Sequence, residues 1–202
     1  MKLIVATQNK KKLEEIKEIL KSLKLEISSL ADYPLSPCTI ENGKTFQANA
    51  IKKARTIARF TGELTLGEDS GLCVDALGGA PGVKSARFSG ADKSDDKNNA
   101  KLLQLLGNLP LGKRKAHYVC AVALADKDGL IGVVEGKCNG VIAVEAKGEA
   151  GFGYDPLFVI PKYRKTFAEL GMRIKHKMSH RYHALKKAQG ILKKYVEKHR
   201  SS

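Results

Sequence analysis

The sequence predicts an α/β fold built on a mixed sheet, and three observations carry that expectation. Short apolar runs, among them KLIVAT, LEISSL and LTLGEDSG, alternate with segments whose apolar residues recur at helical spacing. Residues 116–146 string further apolar runs together around an Asp128-Gly129 turn, the pattern of a meander. A chain of 202 residues at 43% hydrophobic content can also bury a core of its own.

The first strand, 2–7, runs into a helix over 8–25 with Leu13, Ile16, Leu20 and Leu23 on one stripe. A second strand at 25–30 leads through a proline-containing loop to a second helix at 44–60. The third strand begins at Leu64 and ends in a GEDSG loop, and the following LGGAPGVKSARFSGAD is glycine-rich and irregular. A third helix at 94–110 stops at Gly107 and Pro110; after the meander, GFGYDPLFVI is a loop entering a strand. The last helix starts near Ser179, a candidate N-cap, with Leu185, Ala188, Leu192 and Tyr195 as its apolar stripe. No repeat or linker interrupts the chain, so residues 1–202 read as a single domain in which the meander can form a lobe.

The N-terminal apolar run is only five residues, too short for a signal peptide's core, and no stretch approaches the length of a membrane span. A soluble cytoplasmic chain is therefore expected. Cys38, Cys73, Cys120 and Cys138 are scattered with no C-x-x-C pair, which argues against zinc or a disulfide framework. The net charge of +15 fits either a nucleic-acid surface or a site for a small polyanion on a solvated basic exterior. No nucleic-acid motif accompanies it, so no specific nucleic-acid partner is expected.

Four stretches can carry chemistry. In ATQNKKK, Thr7, Gln8 and Asn9 turn the chain and Lys10, Lys11 and Lys12 open a helix. Free backbone N–H groups there cradle phosphate, and lysines oppose the helix dipole unless an anion is present. An ordinary capped helix with solvated lysines has the same pattern. On the second helix, Asn49 and Lys53 share the face of Phe46, Ala50, Ala54 and Ile57, while Lys52, Arg55 and Arg59 face solvent. A lysine on a buried face is paired, points into a cleft, or snorkels past the edge. In GEDSG, Glu68 and Asp69 at the end of a buried strand are hard-cation ligands or plain turn residues. In GFGYDP, a phenylalanine between glycines suits stacking on a flat base, or a core position in a Gly/Pro turn.

Together these stretches resemble the inosine triphosphate pyrophosphatase family: TQNKKK, TFQANAIKKA, EDSGLCVDALGGAPGVKSARFSG, GFGYDPLF and SHRYHAL match its signatures in order, from Thr7 to Leu185. The resemblance implies an elongated mixed sheet flanked by helices, two lobes with a central nucleotide-binding cleft, and a homodimer. It implies Mg²⁺-dependent hydrolysis of ITP, dITP and XTP to the monophosphate and pyrophosphate. Carried over by motif, Thr7, Asn9, Lys12 and Lys53 would hold phosphates. Asp69 would be the catalytic carboxylate and a metal ligand with Glu41, and Ser70 a substrate contact. Phe152, Gly153, Tyr154, Asp155, Lys175, His180 and Arg181 would line the base and sugar pocket, with Arg87 a further contact and Lys177 the alternative to Lys175. That assignment bears on the unusual load of positive charge at the start of the last helix, where cations are disfavoured. Donors from His180 and Arg181 would meet the C6 carbonyl of a deaminated purine and be left unpaired by adenine.

Overall fold

The computed structural model describes residues 1–200, with side chains through residue 199. Its strands are β1 (Lys2–Val5), β2 (Glu26–Ser29), β3 (Thr65–Val74), β4 (Lys115–Asp126), β5 (Gly129–Ile142), β6 (Phe158–Ile160) and β7 (Lys165–Thr166). They form one sheet in the order β2-β1-β3-β4-β5-β6-β7. β1 pairs in parallel with β2 and β3, whereas β6 pairs antiparallel with β5 and β7, so the sheet is mixed as expected.

The helices are α1 (Lys10–Leu20), α2 (Phe46–Thr61), α3 (Asp95–Leu106), α4 (Phe167–Leu170), α5 (Met172–Met178) and α6 (His180–Arg200). Their starts are chemically marked. Asn9, Thr45 and Ser94 accept the N–H of Lys12, Ala48 and Lys97 respectively, which satisfies donors that the first turn leaves free. Asp95 and Asp96 add negative charge to the first turn of α3, where the helix dipole favours it. α2 ends at Gly62 in the left-handed region, φ 73°.

The described residues gather into two compact units. The first holds Met1–Asp69, Cys120–Gly136 and the chain from Arg181 onward; its core joins Leu3, Leu66, Ile16, Val122, Leu185 and Leu192. The second holds Ser70–Val119 and Lys137–His180, around Leu72, Leu102, Tyr118, Phe158 and Phe167.

Two expectations are corrected. GEDSG is not a loop at the end of a strand: β3 continues unbroken to Val74, and the two acids lie mid-strand. The structure also inserts α5 before the last helix, where Arg173, Lys175, His176 and Lys177 show no apolar stripe. Ser179 is the extended residue between α5 and α6, at φ −70° and ψ 162°.

Candidate active site

Successive strand residues point to opposite faces, so Glu68 and Asp69 meet different neighbours within the first unit. Glu68 accepts from Lys12 Nζ at 2.8 Å and from Arg181 Nη2 at 2.9 Å. The Cys120 thiol lies 3.3 Å from its Oε1, and Arg181 also bonds Glu15 through Nη1. Asp69 instead faces α2. Its Oδ2 accepts from Asn49 Nδ2 at 2.9 Å, and Lys53 Nζ lies 3.9 Å from Oδ1. The same ammonium is 3.1 Å from Glu41 Oε1. Asn49 cannot swing away, because its Oδ1 accepts the Gly43 N–H at 2.7 Å. A Cβ on Gly67, between these strand residues and α2, would meet Ala50 O at 2.2 Å and Ala54 N at 2.6 Å. Only glycine lets the strand backbone lie this close to the helix turn that carries Asn49 and Lys53.

The two acids therefore titrate in opposite directions. Burial disfavours the Glu68 charge, but Arg181 and Lys12 outweigh it and hold the carboxyl well below its usual range. Asp69 is pushed up to about 6, chiefly by burial, against the pull of Lys53 and the Asn49 hydrogen bond. A carboxyl poised near neutrality beside a lysine is the arrangement of a general base.

The turn before α1 is ordered by its own polar groups. Thr7 Oγ1 accepts the Asn9 N–H at 3.1 Å, and Thr7, Gln8, Asn9 and Lys10 line a groove of about 550 Å³. Lys10 and Lys11 are exposed, and Lys12 turns inward to Glu68.

In the second unit the Phe152 loop is built on Asp155. Asp155 Oδ2 accepts the Phe152 N–H at 2.9 Å and Lys175 Nζ at 2.6 Å. Lys175 Nζ also lies 4.2 Å from the centre of the Phe152 ring. Lys175 is buried and Lys177 exposed, so of the two it is Lys175 that joins Phe152 and Asp155. The Tyr154 hydroxyl donates to Ser85 O at 2.8 Å. His180 stacks on Tyr118, with ring centres 4.5 Å apart and planes 10° from parallel. Ser70 is half-buried on β3, and Arg87 is exposed at the end of a short 3-10 segment, Gly82–Arg87.

The structure thus groups Lys12, Lys53 and Asp69 with Glu41 in one unit, and Phe152, Asp155 and Lys175 in the other. Arg181 has partners the sequence did not announce: its guanidinium is 1% exposed and belongs to Glu15 and Glu68 of the first unit. Those carboxylates supply the charge balance that the start of a helix lacks. Asn49 was visible on the helical wheel. Glu15 and Tyr118 carried no local signal, since each is defined by a distant partner.

Among the described residues no group of three or more His, Cys, Asp and Glu is disposed to hold a metal. Glu41 and Asp69 nevertheless converge on one cation, the Lys53 ammonium. An all-oxygen pair of this kind fits a hard divalent ion that completes its shell with water and substrate oxygens.

Residues 3–191 match the model of the Ham1 family. The chain belongs to the Ham1 family. It is 54% identical over 192 residues to a dITP/XTP pyrophosphatase of Desulforamulus reducens, covering 95% of this chain and 96% of that protein. A dITP/XTP pyrophosphatase of Exiguobacterium sibiricum is 48% identical, over 97% of this chain and 99% of its own. Among solved structures, the Staphylococcus aureus Ham1 protein superposes with a TM-score of 0.86 at 36% identity, covering 96% of this chain and 100% of that one. Membership of the Ham1 family agrees with the resemblance read from the sequence motifs. No helix among the described residues is long and apolar enough to cross a membrane.

Proposed function

We propose that residues 1–202 act as a single pyrophosphatase domain that hydrolyses ITP, dITP and XTP to the monophosphate and pyrophosphate, cleansing the cytoplasmic nucleotide pool as a homodimer. The observation that carries this reading is Asp69, a buried carboxyl raised to about 6, oriented by Asn49 and set beside Lys53. The names of the relatives, dITP/XTP pyrophosphatases, support the choice of substrate.

Asp69 takes the proton from the water that attacks the α-phosphorus, held in place by Asn49 and faced by Lys53. Lys12 and Lys53 neutralise charge on the triphosphate and on departing pyrophosphate. Thr7, Gln8, Asn9, Lys10 and Lys11 offer hydroxyl, amide, ammonium and backbone N–H groups to phosphate oxygens, with Ser70 as a further contact. Glu41 and Asp69 would hold Mg²⁺, which when bound screens the phosphate oxygens and strengthens the phosphorus electrophile. Phe152 stacks on the purine, and the Gly153–Asp155 turn, Lys175, His180 and Arg87 supply polar contacts to base and sugar, while Arg181, committed to Glu15 and Glu68, adds positive charge from behind. Catalysis on this account is positioning and electrostatics, with no covalent enzyme intermediate.

A nucleoside triphosphate panel with pyrophosphate detection tests the reading. Inosine monophosphate and pyrophosphate are expected from ITP with Mg²⁺. Release of single phosphates, or equal turnover of ATP, would overturn it. Light scattering of the purified protein checks the dimer.

A further inference from the structure

The Phe152 loop is gripped from outside its own sequence. Gly153, at φ 65°, donates its N–H to Asp95 Oδ2 at 2.7 Å, and its carbonyl accepts from Asn99 Nδ2 at 3.0 Å. Both peptide groups flanking one residue are thereby held by α3. Asp95 and Asn99 are four apart and share one helix face, so a single rigid element sets both bonds. The helix itself is bolted down one residue before Asn99. Buried Asn98 accepts from the Ser89 N–H at 2.7 Å and donates to Ala86 O at 3.2 Å. On the other side of Phe152, Asp155 holds its N–H. The backbone on either side of the ring therefore has a fixed partner.

We propose that Asp95 and Asn99 are positioning residues for base recognition, acting through Gly153 to hold the Phe152 ring in the plane a purine must meet. The inference rests on the function proposed above. Both act through the Gly153 backbone beside Phe152, so they control how well the base is held and not the chemical step. Asp95 is an exposed first-turn acid whose side chain reaches out of α3 to the Gly153 N–H, and one that served α3 alone would be replaceable without kinetic effect. Its bond to a residue 58 positions away sets it apart from Asp96 beside it.

The experiment compares Asp95→Ala, Asn99→Ala, the double variant and Asp95→Asn by steady-state kinetics on ITP. Removal of either grip is expected to raise KM about tenfold with kcat within about twofold, the scale of one lost hydrogen bond. Asp95→Asn keeps an oxygen acceptor for the Gly153 N–H and is expected to restore most of the affinity. Asp96→Ala, matched for charge loss in the same helix turn, is expected to leave KM unchanged. The sequence contains no tryptophan, so Phe152→Trp provides a single fluorescent reporter that needs no turnover. Its anisotropy is expected to fall when Asp95→Ala is added. Unchanged KM and unchanged anisotropy in the double variant would overturn the clamp. A wild-type protein that leaves ITP intact would overturn the proposed function; the reporter would then decide the loop's mechanics separately.

Discussion

The Asp69 group and the Phe152 loop are held by different forces. Around Asp69 the fixing contacts join side chain to side chain, and most carry charge: Lys12, Arg181 and Glu15 about Glu68, then Lys53 and Glu41 about Asp69. Around Phe152 the fixing contacts engage main-chain groups, with one buried ion pair, Lys175–Asp155, beneath them. The first arrangement answers to pH and to any change of charge. The second depends on geometry as well as charge, because its two carboxylates, Asp95 and Asp155, each grip a backbone N–H that the chain path has to place.

That contrast can be attacked from several sides. Asp69→Asn is expected to cut ITP turnover by about 10³-fold or more with no lowering of the thermal transition. Turnover within tenfold of the parent would take Asp69 out of the chemistry. Next in size, Arg181→Met strips the cation from two buried carboxylates and is expected to cost about 3–5 kcal/mol in urea unfolding. A loss below about 1 kcal/mol would show that charge does not hold this region.

The pH dependence is expected to run in opposite senses at adjacent residues. Asp69, at about 6 in the folded chain against an ordinary 3.8, binds its proton more tightly folded than unfolded. Stability of the metal-free protein should therefore fall as pH rises from 4 to above 6, by about 2–3 kcal/mol, and Asp69→Asn should flatten that slope. Glu68 is depressed below its ordinary 4.5, so its stabilisation is present above that pH and disappears on acidification. Chelator-treated protein followed by denaturant titration across pH 3–8 separates the two.

The Phe152 loop should be indifferent to substitution of Asp69 or Arg181, since its own contacts run to Asp95, Asn99 and Asp155. Phe152→Ala is expected to raise KM for ITP about tenfold, the order of one lost base–aromatic stack, without altering the pH profile. A shifted profile would mean that loop and charge cluster are not independent. The smallest effect belongs to exposed Lys177→Ala, expected to change KM less than about twofold, against a marked loss of stability for Lys175→Met.

The same contrast explains what could be read in advance. Lys53 and Asn49 were legible because a helical period marks a buried face, and a lysine or asparagine on it stands out. Lys12 and Asp69 were legible from a strand running into small polar residues and acids. Glu15 was not, since it looks like Glu14 beside it until Arg181 arrives from 166 positions away. The course of β3 through GEDSG was misread because Asp, Ser and Gly favour turns. Only the paired cations make an extended, buried path tolerable for two acids. Asp95 and Asn99 were invisible for a related reason: their partner is a peptide group, and peptide groups leave no trace in composition.

Gly67 gives this arrangement a practical edge. Wherever two backbones touch with nothing between them, spacing is no longer adjustable through side-chain choice, and compensating substitutions have no purchase. Even alanine should pry the α2 turn off its strand, stranding an amide and an ammonium out of reach of their acid while every titrating atom is still there. Such a variant would keep the full roster of ionisable residues and lose their register, which makes it the cleanest way to ask whether distance alone sets the affinity of that acid for its proton.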